Sequence, residues 1–312
     1  MFLAVPLSGQ QAAQYTQHFL NKYEMNSAYA GFDYSLSITG HYRNQWAGFE
    51  SRPLSQNINA HLPLYIINGG IGISLRNDKI GPLGNTTGSV SYNYVYPSQI
   101  GLFSFGVNLG FDQMRIDGGE LRTSTGIYEG GLIEHLDPIL SAGSVNGIGA
   151  TYGFAMYFKE RFLQAGVSVT NFPANVISVG ALDYKRQSLY NVFVEYKLSI
   201  LDNITLTPSI FFKTDLLQTQ GEVFGFVSYD QRYFGGIGLR GYSGNTIDAL
   251  TLTAGLQLSK HYKVSYSYDL GISGFRNNHE GTHEFILNYN LAKAIGLGLP
   301  PKIIYNPRYL DK

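Results

Sequence analysis

The strongest chemical signal in the sequence is a pair of histidines, His279 and His283, which flank Glu280 in the stretch HEGTH. On a helix this spacing puts both imidazoles on one face, where they bind zinc while the glutamate acts as a general base. The flanking stretches GISGFRNN and FILNYNL instead predict a loop and an alternating strand. Gly281 weakens a helix further. We therefore predict no metal site here.

A second match comes from Gly236, Gly238 and Gly241, which fit the G-x-G-x-x-G pattern of dinucleotide-binding loops. That function needs a helix after the motif, whereas a short loop and another strand are predicted. His41 and His61 are expected near opposite ends of adjacent strands, with no Ser–His–Asp arrangement around them. The sequence therefore predicts no catalytic residue, no cofactor and no enzyme.

Charge is scarce: 22 basic residues balance 22 acidic ones, and charged residues make up 14% of the 312 residues, against about 25% in ordinary soluble domains. The absence of a basic excess excludes a typical nucleic-acid-binding protein. The absence of cysteine excludes a disulfide scaffold. The 37 glycines, 24 tyrosines and 19 phenylalanines are instead typical of a transmembrane β-barrel with aromatic girdles.

Apolar and polar residues alternate along most of the chain, as in strands with one apolar and one polar face. In one clear example, Phe103, Phe105 and Val107 alternate with Ser104 and Gly106. Extended over the chain, this pattern predicts a transmembrane antiparallel β-barrel of about fourteen strands. The predicted spans are 33–42, 54–64, 69–77, 86–96, 101–112, 147–158, 162–171, 186–198, 204–214, 220–229, 233–241, 248–258, 262–272 and 282–291.

The connections alternate in length, which is typical of outer-membrane barrels with short periplasmic turns and longer outer loops. Short connections follow the even strands, and a long loop from Arg115 to Asn146 follows the fifth strand. An even number of strands predicts that both termini are periplasmic. A soluble β-sandwich also alternates, but it normally has more Lys and Glu on its polar face.

Four regions are predicted. Residues 1–9 resemble the last part of a signal peptide, and residues 10–32 form a periplasmic N-terminal segment. The barrel covers residues 33–291, and residues 292–312 form a periplasmic tail. A helical membrane span needs about 20 consecutive apolar residues, and the apolar runs of this sequence are much shorter.

Three motifs carry a resemblance to a known family: QYTQHFLNKYEMNSAYAG at residues 14–31, HYRNQWAGFE at 41–50 and RNDKIGPLGNT at 76–86. In this order and spacing they resemble the PorP/SprF family of Bacteroidetes, which is associated with type IX secretion and gliding. Ser27 and Lys22 depart from the family pattern, which usually has proline-containing sequences there. The resemblance covers essentially the whole chain from Gln10.

The resemblance implies an outer-membrane accessory of type IX secretion that helps to export or anchor cargo, such as gliding adhesins, at the cell surface. Implied partners are outer-membrane lipid, cargo with a type IX C-terminal signal domain, and periplasmic machinery or a peptidoglycan-binding partner. The alternative is a passive or substrate-specific porin, and a third possibility is an outer-membrane hydrolase, for which the sequence offers no convincing nucleophile.

Two regions are candidate partner-binding sites. The first outer loop contains the only tryptophan, and both Trp and Arg are enriched at binding hot spots; alternatively, Trp46 only packs the loop into the barrel mouth. The tail is apolar and aromatic beyond the last strand; it either docks a periplasmic partner or folds back to plug the lumen. The candidate residues are Arg43, Gln45, Trp46 and Phe49 in the loop, and Ile303, Ile304, Tyr305, Tyr309 and Leu310 in the tail.

Overall fold

The structure is a computed structural model that describes residues 14–128, 130, 132–242, 246–272, 280–293 and 295. Two short helices, α1 (Lys22–Met25) and the 3₁₀ helix η1 (Ser27–Tyr29), precede the strands, and η2 (Tyr65–Ile67) and η3 (Gly118–Glu120) lie between strands. The first strands are β1 (Ser37–Asn44), β2 (Leu54–Leu64), β3 (Gly69–Ile80), β4 (Leu83–Pro97), β5 (Leu102–Asp117), β6 (Ser144–Lys159), β7 (Leu163–Thr170), β8 (Asn175–Val179) and β9 (Leu182–Arg186). They are followed by β10 (Leu189–Tyr196), β11 (Leu198–Leu201), β12 (Ile204–Thr214), β13 (Thr219–Tyr229), β14 (Tyr233–Tyr242), β15 (Thr246–Gln257), β16 (Tyr262–Gly271) and β17 (Thr282–Asn290).

The described strands close into a barrel because β1 pairs antiparallel with β17 as well as with β2. Both β10 and β11 pair with β12, so together they form one wall strand interrupted at Lys197. The wall therefore has fourteen antiparallel strands in the described part of the chain, as the alternation predicts. Strands β8 and β9 pair only with each other and form a separate hairpin.

The pairing defines two ends of the barrel. The turn end carries short connections, such as 98–101 and 258–261. The loop end carries the long connections, together with short ones at 81–82 and 215–218. The longest of these in the described chain lies between Asp117 and Ser144 and is folded on itself: Ile127 and Glu134 exchange backbone hydrogen bonds of 2.8 and 3.0 Å.

The outer wall is apolar and the inner wall is polar. On β5 the outward residues Phe105, Val107 and Leu109 are exposed, and the inward Ser104 and Asp112 are fully buried. The outward row becomes polar at Gln113. Nine residues from Phe103 to Phe111 in a tilted strand match the apolar band about 25 Å tall of outer-membrane barrels.

Aromatic residues ring the turn end on the outer wall, where a membrane–water interface requires amphipathic rings. The exposed tyrosines there are Tyr96, Tyr196, Tyr229, Tyr233 and Tyr262. No helix in the described residues is long and apolar enough to cross a membrane.

Candidate functional site

The lumen is occupied by the chain's own N-terminal segment, residues 14–32. The segment starts at the loop end, where the Thr16 hydroxyl lies 2.9 Å from Asp269. It finishes at the turn end, where the Ala28 carbonyl accepts hydrogen bonds from Asn93 and Ser104 at 3.0 and 2.7 Å. The prediction makes residues 10–32 a periplasmic segment; their described part, from Gln14, instead runs through the barrel interior.

A buried charge cluster fixes the start of this segment to the wall. Arg43 lies 2.6 Å from Glu284 and 2.8 Å from Asp269. Arg240 lies 2.8 Å from Asp269 and 2.9 Å from Glu222. All five side chains are at most 5% exposed, and they form one inward row across β1, β17, β16, β14 and β13. Removing either partner from a buried ion pair of this kind strongly destabilises the fold, because it leaves the other charge uncompensated.

The segment takes part in the same cluster. The Glu284 carboxylate accepts hydrogen bonds from the backbone N–H groups of Thr16 and Gln17 at 2.9 and 2.7 Å. Both arginines donate to the Thr16 hydroxyl, at 2.8 Å from Arg43 and 2.5 Å from Arg240. Charge-assisted bonds are stronger than neutral ones, so they hold Thr16 firmly at the loop end.

Two further ion pairs hold the middle of the segment. Lys22 donates to Glu195 at 2.5 Å and to Gln164 at 2.7 Å. Glu24, on the other side, accepts from Ser74 at 2.7 Å and from Arg76 at 3.3 Å. The segment is therefore bound to opposite sides of the wall by charges of both signs.

Wall glycines leave room for the segment. A Cβ at Gly106 would lie 2.6 Å from the Ala28 backbone nitrogen, and one at Gly72 would lie 2.4 Å from the Tyr23 ring. Any larger side chain at these inward positions would overlap the segment. The glycine content of the inner wall is thus explained in part by the chain that lies against it.

At the turn end the segment also packs through apolar contacts. Ala28 and Phe32 are buried against Leu102, Tyr157 and Phe193 of the wall. The Phe32 and Tyr157 rings meet edge to face with centroids 4.9 Å apart, a geometry that aromatic pairs favour.

The hairpin β8–β9 fills the loop end on the side of the barrel formed by β5 and β6. Ile177 and Val179 are buried against the inward Met114 and Ile116 of β5. A Cβ at Gly147 would lie 2.2 Å from the Ser178 carbonyl oxygen, so this glycine lets the hairpin approach β6. Arg186 of β9 also forms an ion pair with Asp112.

The structure separates the loop residues that the sequence groups together as a binding site. Arg43 is 2% exposed and belongs to the charge cluster, so it does not present its guanidinium to a partner. Gln45 is also buried, Trp46 is half-buried, and Phe49 is exposed. Trp46 donates its backbone N–H to Thr282 at 3.2 Å, which ties the loop to β17. The tail candidates Ile303, Ile304, Tyr305, Tyr309 and Leu310 lie outside the described residues.

The glycine motif lies on a barrel strand, whereas Glu280 and Gly281 of HEGTH precede β17 and Thr282 and His283 belong to it. Gly236, Gly238 and Gly241 belong to β14, and the next described element is strand β15. His283 lies in β17, where its Nδ1 is 2.6 Å from the Tyr266 hydroxyl, and His279 lies outside the described residues. Among the described residues no group of three His, Cys, Asp or Glu side chains is placed to hold a metal ion.

A cavity of about 390 Å³ remains open at the turn end, between the segment and the wall. It is lined by charged groups, including Lys22, Lys197 and Lys263, and by aromatic rings such as Phe226 and Phe234. The sequence does not reveal this cavity, because strand alternation does not show how far the interior is filled. The arrangement as a whole offers binding surfaces rather than a water-filled channel.

Comparison with known proteins finds a matching family model and similar solved structures. A family model described as "Type IX secretion system membrane protein PorP/SprF" matches residues 7–289. Similar solved structures include the Acinetobacter baumannii outer membrane protein Omp33, with 9% identity, 83% of this chain and 98% of that chain covered, and a TM-score of 0.47. A mutant of the Rh. blastica porin is also similar, with 13% identity and a TM-score of 0.36. The match covers 82% of this chain and 99% of that chain. No curated protein matches the chain.

Proposed function

Because the chain belongs to the PorP/SprF family of type IX secretion membrane proteins, we propose that it helps to export or anchor specific cargo at the cell surface. The family and the fold are those of a secretion-associated outer-membrane barrel rather than of an enzyme. The cargo would carry a type IX C-terminal signal domain, and gliding adhesins are one candidate class.

The filled lumen is the observation that favours this proposal over a passive porin. A porin needs a continuous aqueous lumen, whereas here residues 14–32 cross the interior from the loop end to the turn end. A substrate-specific porin remains the alternative function, and it would require the segment to move aside for each substrate.

We propose one partner-binding surface at each end of the barrel. At the loop end, the exposed Phe49 and the half-buried Trp46 would contact cargo. At the turn end, we propose that the tail from Lys302 to Leu310 docks periplasmic machinery or a peptidoglycan-binding partner. Both termini of the barrel wall would then face the periplasm.

This orientation predicts a labelling pattern, and the absence of cysteine means that one introduced thiol has no background within the protein. Ser124, in the long loop, and Lys260, in a short turn, are both exposed. Ser124→Cys in whole cells is expected to react with a membrane-impermeant maleimide. Lys260→Cys should react only after the outer membrane is opened. The reverse labelling pattern would show that the turn end faces the outside of the cell, and the cargo surface would then have to lie at the turn end.

The functional proposal is tested by deleting the protein and comparing surface-exposed proteins by mass spectrometry after protease shaving of intact cells. We expect a small set of proteins with type IX signal domains to disappear from the surface and to return on complementation. Unchanged surface proteins, together with reduced uptake of a small solute, would favour the porin alternative.

A further inference from the structure

The cavity at the turn end has an unbalanced set of charges. Lys22 is paired with Glu195 at 2.5 Å, and Asp33 lies 3.5 Å from His61. Glu195 thus already has its cation in Lys22, and the three lysines that line the cavity outnumber its two carboxylates. Lys197 and Lys263 also line it, and neither ammonium lies within 4.0 Å of a carboxylate of the described residues.

A buried hydroxyl group points to the same place. Ser209 lines the cavity, its side chain is 4% exposed, and its Oγ has no hydrogen-bond partner among the described residues. A buried hydroxyl without a hydrogen-bond partner destabilises the fold, so such groups are normally satisfied by protein, water or ligand atoms beside them.

The rest of the lining suits a peptide. The Phe226 and Phe234 rings offer apolar contact to a bound segment. The amide nitrogens of Gln257 and Asn288, in contrast, already donate to Ser259 and Thr39. The volume of about 390 Å³ falls within the range of about 300–1,000 Å³ that is usual for ligand sites.

We propose that this cavity binds a carboxylate-bearing peptide segment, with Lys197 and Lys263 facing the carboxylate and Ser209 donating a hydrogen bond. Lys197 and Lys263 line the same cavity, and an anion that lies near both cations is attracted by each of them. The site stands on the cavity itself; only its exposure to the periplasm rests on the orientation proposed above.

The test uses the full chain in detergent micelles and a fluorescein-labelled tetraglutamate peptide, with tetraglutamine as the uncharged probe of equal size. Fluorescence anisotropy should show that tetraglutamate binds at least about tenfold more tightly than tetraglutamine. Lys197→Gln/Lys263→Gln should lose roughly tenfold or more of that affinity. Lys260→Gln, which removes one exposed charge outside the cavity, should change it by less than about threefold.

Lysine footprinting of the unmutated protein gives a second readout that needs no folded variant. Tetraglutamate should protect Lys197 and Lys263 from acetylation and leave Lys260 reactive. Equal binding of the two peptides, equal loss in Lys260→Gln and the double variant, or protection of all three lysines alike would overturn the proposal. Because the assay involves neither cargo nor cells, its failure leaves the secretion proposal untouched.

Discussion

Replacing Arg240 with methionine is expected to destabilise the folded barrel by about 3–5 kcal/mol, the usual effect of removing one partner from a buried ion pair. Methionine keeps most of the side-chain volume but leaves Glu222 without its cation, and Asp269 with Arg43 alone. The Thr16 hydroxyl also loses its 2.5 Å donor, so the N-terminal segment should loosen. The measurement is urea unfolding of the refolded protein in lipid vesicles.

Arg52→Met is the matched control, since Arg52 is exposed and donates a hydrogen bond of 2.8 Å to Asn44. We expect this change to cost less than about 1 kcal/mol. Adding Glu222→Gln to Arg240→Met should recover part of the loss, because it removes the uncompensated charge. Equal stability of Arg240→Met and Arg52→Met would show that the cluster does not contribute to stability as described.

Val107→Arg should lower the free energy of unfolding in the membrane by about 2–4 kcal/mol, because Val107 is exposed on the outer wall in the middle of the apolar band. An arginine there would have to reach the interface or draw water into the hydrocarbon. The measurement is the same unfolding titration in vesicles, repeated in lipids of different chain length.

Gln113→Arg tests the depth dependence on the same strand and the same face. Gln113 lies past the end of the apolar band, two residues before the native Arg115, where an arginine should cost only about 0–1 kcal/mol. If both variants were destabilised alike, the position of the band along β5 would be wrong.

The strands were largely predictable from sequence because a barrel wall separates two solvents along every strand. Strands β2 and β12 have the predicted bounds, 54–64 and 204–214. The first strand begins at Ser37 rather than at residue 33. Alternation continues through Tyr34, but Tyr34 has a φ of +58°, so the chain turns there as the N-terminal segment leaves the lumen.

What fills the lumen could not be predicted in the same way. A polar inward face is compatible with water, with a folded loop or with the chain's own N-terminus, and alternation does not distinguish them. The hairpin β8–β9 was missed because its strands of five residues each are too short for a clear period. Arg43 was assigned to a partner surface because of its neighbour Trp46, although alternation from Thr39 and His41 already places it on the inward face.

Residues 14–32 are expected to close the barrel, and single-channel recording in planar lipid bilayers measures directly whether they do. The protein should insert without discrete conductance steps, and a variant that lacks residues 14–32 should give stable open channels. Deletion removes the ion pairs from Lys22 to Glu195 and from Glu24 to Arg76, which leaves polar walls that water can fill. Stable porin-like steps from the unmutated protein, unchanged by the deletion, would contradict a closed lumen and favour a porin.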